Sequence, residues 1–170
     1  VEQALRTTLE ENLAMIRDTV TFLRGEGRRV FLDAEHFFDG YRLDRAYALE
    51  CVQAAAESGA EVVALCDTNG GMLPAQVADV VRDVIDSTGA RVGIHCHNDT
   101  GCAVANSMAA VDAGATHVQG TVNGYGERTG NANILTLVSN LQIKQGMPLL
   151  EPARLREATR ISHAISEVTN

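Results

Sequence analysis

Apolar residues at Leu5, Leu9, Leu13, Ile16, Val20 and Leu23 recur every three to four positions, which predicts a helix over residues 2–24. Gly25 and Gly27 end it, as glycines do at helix C-termini. Val30-Phe31-Leu32-Asp33-Ala34-Glu35 reads as a strand, Phe37 to Tyr41 as loop, and 43–58 as a helix closed by Gly59. Val62 to Cys66 is a second strand, ended by Asp67-Thr68-Asn69-Gly70-Gly71. Pro74 suits the first turn of a helix that runs to about Ser87, ahead of Gly89. Arg91 to Cys96 is a third strand, followed by a loop from His97 to Gly101 and an Ala-rich helix ending near Gly114. His117 to Val122 is a fourth strand, and the Gly-rich loop Asn123 to Gly130 leads into a helix over about 132–145. Pro148 and Pro152 flank a linker, and 153–168 reads as a last helix.

The strands begin near 30, 62, 91 and 117, at spacings of 32, 29 and 26 residues. Strict strand–helix alternation with short connections means an α/β fold with a parallel sheet and right-handed crossovers. An open doubly wound sheet and a (β/α)8 barrel both satisfy that pattern. The polar residues favour the barrel. Each strand ends in them at its C-terminal side: Asp33 and Glu35; Asp67, Thr68 and Asn69; His95, His97 and Asn98; Asn123 and its loop. A doubly wound sheet concentrates its site at one switch point, whereas a barrel aims successive strands at one rim. A whole barrel takes about 250 residues, so four units in 170 residues are half of one. The start without Met, inside a helical pattern, agrees with a segment of a longer protein.

Composition narrows the function classes. The chain is 45% apolar and 21% charged, which excludes disorder, and no apolar run approaches the ~20 residues of a membrane span. Fourteen basic against 22 acidic residues leave a net charge of −8, which disfavours phosphate backbones and hence nucleic-acid binding. Cys51, Cys66, Cys96 and Cys102 form no CxxC pair, and no opening segment reads as a secretory signal. The expectation is reduced, mostly buried thiols in a cytoplasmic protein.

Three clusters carry candidate chemistry. In His95-Cys96-His97 the two imidazoles fall on one strand face and Cys96 on the other. Such a pair can chelate a divalent ion, or can be two histidines satisfied by hydrogen bonds. Asn98 and Asp99 behind it can orient rings or pocket walls. The loop Asn123-Gly124-Tyr125-Gly126-Glu127-Arg128-Thr129-Gly130-Asn131 has glycines spaced for close backbone approach. Glu127 and Arg128 offer acid/base and anion-binding groups, and Asn131 either caps the next helix or gives its amide oxygen to a metal. Asp33 and Glu35 share one strand face, as a metal site, a base or a solvated strand end. Thr68 can hydrogen-bond a substrate carboxylate or shape a turn, the reading also open for Asp67 and Asn69. His36, His117 and His163 stand alone and read as structural.

The run Gly93-Ile94-His95-Cys96-His97-Asn98-Asp99-Thr100-Gly101-Cys102-Ala103-Val104-Ala105-Asn106-Ser107 resembles the second signature of the 2-isopropylmalate, homocitrate and citramalate synthases. These are metal-dependent (β/α)8 TIM barrels of the HMG-CoA-lyase-like superfamily. The loop 123–131 resembles the same family's last-strand loop. Asp33 to Tyr41, Leu65 to Gly71, and Asn131-Ala132-Asn133 running on to Lys144 are most similar to the citramalate synthase branch. Residues 121–131 contain no cysteine, unlike the superfamily's lyases, which shifts weight to a synthase.

The resemblance implies that residues 1–147 are the C-terminal half (strands five to eight) of the catalytic barrel, and 148–170 a linker and helix leading beyond it. It implies that His95, His97 and Asn131 hold a divalent metal ion (Mg, Mn, Co or Zn), that Thr68 holds the keto-acid carboxylate, and that Glu35 acts near the reacting carbons. Gly124, Gly126, Glu127 and Arg128 then belong to the active-site loop. The implied activity is an acyltransferase-type condensation of acetyl-CoA with a 2-oxo acid, foremost pyruvate giving citramalate in isoleucine biosynthesis, by a homodimer. The family's remaining ligand, an aspartate on the first strand beside an arginine, is not in this chain, so the 170 residues alone are expected to be inactive. A 2-isopropylmalate or homocitrate synthase and a non-catalytic half-barrel module are the alternatives.

Overall fold

The computed structural model describes residue 1 and residues 5–169. Its four strands lie in one parallel sheet in sequence order: β1 (Phe31–Ala34), β2 (Val62–Asp67), β3 (Val92–Cys96) and β4 (His117–Gln119). The helices are α1 (Leu9–Gly25), α2 (Phe37–Leu43), α3 (Arg45–Glu57), α4 (Pro74–Thr88), α5 (Ala103–Asp112), α6 (Ile134–Ser139), α7 (Pro152–Leu155) and α8 (Ala158–Thr169). No helix among the described residues is long and apolar enough to cross a membrane.

Local chemistry sets the element ends. Thr8 caps α1, its hydroxyl accepting from the Glu11 N–H at 3.1 Å, and Glu10 and Glu11 in the first turn complement the helix dipole. Asp44 caps α3 by accepting from the Tyr47 N–H at 3.1 Å. Pro74 opens α4, and the Gln76 side chain reaches back to the Leu73 N–H at 3.1 Å.

Side chains alternate across each strand. One face of the sheet, with Val63, Leu65, Val92, Ile94 and Cys96, packs into a single core with Phe37 and Phe38 of α2, Val52 and Ala55 of α3, and Val77, Val81 and Val84 of α4. The opposite face carries Phe31 and Asp33 in register with Val62 and Ala64, then Gly93 and His95, then His117 and Gln119. Outer strands of a flat four-stranded sheet stand about 14 Å apart at about 4.8 Å per strand. Here the Gln119 amide donates to Asp33 Oδ1 at 2.7 Å, and the Phe31 and His117 rings lie 5.1 Å apart. The sheet is therefore strongly curled, with its helices on the convex side.

The two rims differ in kind. At the N-terminal rim, the residues just ahead of the four strands join: Arg29 donates to both oxygens of Glu61 (2.7 and 2.6 Å), Arg91 lies 3.6 Å from Glu61, and Arg91 donates to Thr116 at 2.8 Å. The C-terminal rim gathers the residues singled out for chemistry.

The free, buried thiols agree with the expectation for Cys66 and Cys96, which are 1% and 0% exposed. Burial pushes the Cys96 thiol up to about 12 and raises Cys66 as well. In native protein an alkylating reagent at pH 8 is expected to label the partly exposed Cys102 well before Cys66 or Cys96. Peptide mass mapping against a denatured control reads this; equal labelling of all three would contradict the burial.

Several boundaries depart from the sequence reading. Residues 5–8 are not helical, so the first helix begins at Leu9; residues 2–4 lie outside the described residues. Phe37 to Tyr41 is not loop but most of α2, because Phe37 and Phe38 bury (4% and 2% exposed) and outweigh the low helix propensity of Gly40. The fourth strand stops at Gln119. The helix expected over 132–145 is six residues of α-helix followed by a π-helical turn, Asn140–Lys144. The last helix divides into α7 and α8. Asn131 does not cap: Asn133 does, accepting from the Leu135 N–H at 3.1 Å.

Candidate active site

The end of β3 brings His95 and His97 onto the concave face, as their spacing requires, and turns Cys96 into the core. Their Nε2 atoms are 3.3 Å apart and the ring planes are inclined at 68°. His97 is buried, at 4% exposed, and His95 half-buried. The Nδ1 atoms of both rings are buried without a hydrogen-bond partner.

The loop after β4 folds back against His97. Ala132 N–H donates to the Cys96 carbonyl at 3.0 Å and Asn98 N–H to the Gly130 carbonyl at 2.9 Å, so Asn131 lies beside His97 at the edge of β3. The Asn131 amide donates to the Tyr125 carbonyl at 3.1 Å, while its Oδ1 is buried and unpartnered. Gly126 is in contact here: a Cβ on it would overlap the Asn131 side-chain amide. Glu127 Oε1 stands 3.7 Å from His97 Nε2, its carboxyl held below the ordinary range by its own backbone N–H and by the nearby imidazole of His97.

The ends of β1 and β2 complete the rim. Glu35 is exposed one residue past β1, on the same side as Asp33. The Cys66 thiol is raised first by burial and then by the Glu35 and Asp33 carboxylates, so all three lie near one another. Thr68 accepts the His36 N–H at 2.8 Å, which leaves its own hydroxyl proton to donate. Asp67 is structural: it is 3% exposed and accepts the N–H groups of Gly71 (3.1 Å) and Met72 (3.2 Å). Burial raises its carboxyl above the ordinary range, against the pull of those two N–H groups. Asn69 shapes the same turn and donates to Asp39 at 2.7 Å.

The unpartnered atoms test whether a metal ion suits this place. A buried polar atom without a partner costs about 1–3 kcal/mol; Asn131 Oδ1 beside His97 is such an atom, whereas the orphaned imidazole nitrogens are the Nδ1 atoms and not the Nε2 pair that approaches. Two ring nitrogens each about 2.1 Å from a shared ion stand about 3.0–3.4 Å apart at angles near 90–110°; the observed 3.3 Å falls in that range. Two imidazoles, an amide oxygen and a nearby carboxylate are ligands of the hard-to-borderline kind. Among the described residues no group of three or more His, Cys, Asp or Glu side chains is placed to hold an ion. A set of three from the described residues would draw on the Asn131 oxygen beside the two imidazoles.

Other interactions carry no simple sequence signal. Arg128 is not a free anion-binding group but pairs with Asp99, at 2.9 and 3.0 Å. Asn98 and Asp99 do not bond to the imidazoles: Asn98 accepts the Ala103 N–H at 3.1 Å and so holds the start of α5. Asn123 exchanges hydrogen bonds with Ser162 of α8, and the Tyr125 hydroxyl lies 3.2 Å from Ser166. Of the isolated histidines, His117 packs on Phe31, His36 lies 3.6 Å from Asp39 and His163 is exposed.

An (R)-citramalate synthase of Streptomyces coelicolor is 65% identical over all 170 residues, which span 32% of that protein. A 2-isopropylmalate synthase of Sulfurisphaera tokodaii is 38% identical over 167 residues, covering 97% of this chain and 42% of the relative. The chain thus spans less than half the length of these relatives. Among solved structures, an HMG-CoA lyase of Bacillus subtilis matches with a TM-score of 0.72 at 22% identity, over 98% of this chain and 58% of that one. The carboxyl transferase domain of Rhizobium etli pyruvate carboxylase matches with a TM-score of 0.72 at 23% identity, over 90% and 26%. These two likenesses are of fold. The model of the HMGL-like family matches residues 1–165, and the chain belongs to that family.

Proposed function

We propose that the chain is the C-terminal half of a (β/α)8 barrel whose full-length protein condenses acetyl-CoA with pyruvate to give citramalate. The observation that carries the reading is the convergence of His95, His97 and the unpartnered Asn131 oxygen at the rim that also holds Glu35 and Thr68. The identity to (R)-citramalate synthases favours pyruvate over other 2-oxo acids. The sequential strand order, the one-sided helices and the Asp33–Gln119 contact favour the half barrel.

His95, His97 and Asn131 would hold a divalent ion, which would supply Lewis-acid polarisation of the 2-oxo acid. Thr68, its lone pair engaged by the His36 N–H, directs its hydroxyl proton to the substrate carboxylate. Glu35, exposed at the strand end, takes or relays the proton leaving the acetyl methyl group, whose carbon then bonds to the keto carbon. Water cleaves the thioester and releases CoA. Residues 1–147 form the half barrel, 148–170 lead beyond it, and the remaining aspartate and arginine come from strands outside the chain.

The test is CoA release by the full-length protein with acetyl-CoA and a panel of pyruvate, 2-oxoisovalerate and 2-oxoglutarate, with and without a chelator. Pyruvate is expected to be preferred and chelation to stop turnover. Preference for 2-oxoisovalerate would reassign the substrate, and no CoA release from any of the three would overturn the activity. Glu35→Gln is expected to lower kcat by about 10²–10⁴-fold; unchanged turnover would remove Glu35 from the mechanism.

A further inference from the structure

Three rim loops meet at one side chain. Arg128 donates from Nε to Asp99 Oδ1 at 2.9 Å and from Nη2 to Asp99 Oδ2 at 3.0 Å, and the same Nη2 donates to the Thr68 carbonyl at 2.6 Å. Arg128 belongs to the loop after β4, Asp99 to the loop after β3 and Thr68 to the loop after β2. Arg128 is held in the left-handed region, φ 59°, which few non-glycine residues adopt. The β2 and β3 loops beneath it are in close contact. The N–H and hydroxyl of Thr100 both donate to the Gly70 carbonyl, at 3.2 and 2.8 Å. A Cβ on Gly70 would lie 2.6 Å from Asp99 Oδ2 and 2.7 Å from the Asp99 nitrogen.

Each clamped loop carries one candidate group: Thr68 and His97 where the β2 and β3 loops begin, and Asn131 where the β4 loop ends. A planar guanidinium engaged along one edge fixes both distance and orientation, which a lysine ammonium does not.

We infer that Arg128 is a positioning residue of the active site: clamped to Asp99 and the Thr68 carbonyl, it sets the carboxylate-binding hydroxyl and the metal ligands at working distance from one another. This rests on the proposed activity for its catalytic readout, but not for its metal readout. Arg128 acts through its neighbours rather than on substrate, since Nε and Nη2 are already committed.

The experiment uses the full-length protein with Arg128→Ala, Asp99→Ala, the double variant and Arg128→Lys. Binding of Mn2+ alone is followed by the free-ion electron paramagnetic resonance signal, and kcat, KM for pyruvate and the melting temperature are measured alongside. Each single alanine variant is expected to weaken Mn2+ binding by about 10-fold or more, the scale of residues that orient metal ligands, and to raise KM. The double variant is expected to be no worse than either single one, as for two halves of one interaction. Arg128→Lys is expected to recover only part of the loss. If Arg128→Ala alone raises KM while Asp99→Ala matches wild type, Arg128 binds substrate directly and the inference fails. It also fails if the two effects multiply, or if only the melting temperature falls while Mn2+ affinity holds. A wild type that binds Mn2+ but condenses nothing rejects the activity and leaves the clamp standing on the metal data. One that binds no Mn2+ overturns both.

Discussion

Alanine at both His95 and His97 in the full-length protein is expected to abolish metal binding and to lower CoA release by about three orders of magnitude or more. A metal ion acting as Lewis acid stabilises developing oxygen charge by several kcal/mol, and each 1.4 kcal/mol is tenfold in rate. The fold is expected to survive. The two rings project onto the concave face, and the apolar core on the convex face is built from Val92, Ile94 and Cys96 of the same strand. Far-ultraviolet circular dichroism checks that, and calorimetric titration with Mn2+ or Co2+ reads the binding. Retained metal affinity in the double variant would remove both histidines from the site.

The second large effect is expected from a methyl group. Gly126→Ala places a Cβ on top of the Asn131 side-chain amide, which has to swing away and give up its bond to the Tyr125 carbonyl. Loss of that bond costs about 0.5–1.5 kcal/mol. The functional consequence is larger: the Asn131 oxygen leaves the vicinity of His97, and metal affinity is expected to fall about 10–100-fold. Gly40→Ala is the control, since a Cβ there meets no atom within 4 Å. Equal metal affinity in Gly126→Ala and wild type would show that Asn131 does not serve the ion.

How far the sequence foretold this follows from the range of each interaction. The alternation in His95-Cys96-His97 is local and survives folding intact: rings on the concave face, thiol in the core. Strand order and the polar rim were legible for the same reason, because each unit repeats one short pattern. The α2 helix was not legible, since Gly40 and the aromatic run resemble a loop until Phe37 and Phe38 have a core to enter. Asn131 and Asn133 were indistinguishable as caps, because the choice depends on how the β4 loop returns to pair beside His97. The bonds from Arg128 to Asp99 and from Gln119 to Asp33 join residues 29 and 86 positions apart, and no periodicity reports them.

The Arg29–Glu61–Arg91–Thr116 chain at the N-terminal rim bears on how such a protein changes over generations. It ties all four strand starts together with groups that touch neither the imidazoles nor the glycine-rich loop. Exposed pairs of this kind are individually weak, about 0–1 kcal/mol, so the loss of one is survivable. The other rim holds the proposed site, where substitution is expected to alter what is bound. Selection can therefore try new side chains at that rim without loosening the ends that keep the strands in register. A fold with one sheet rim given over to cohesion is thus free to diverge at the other while it stays recognisable.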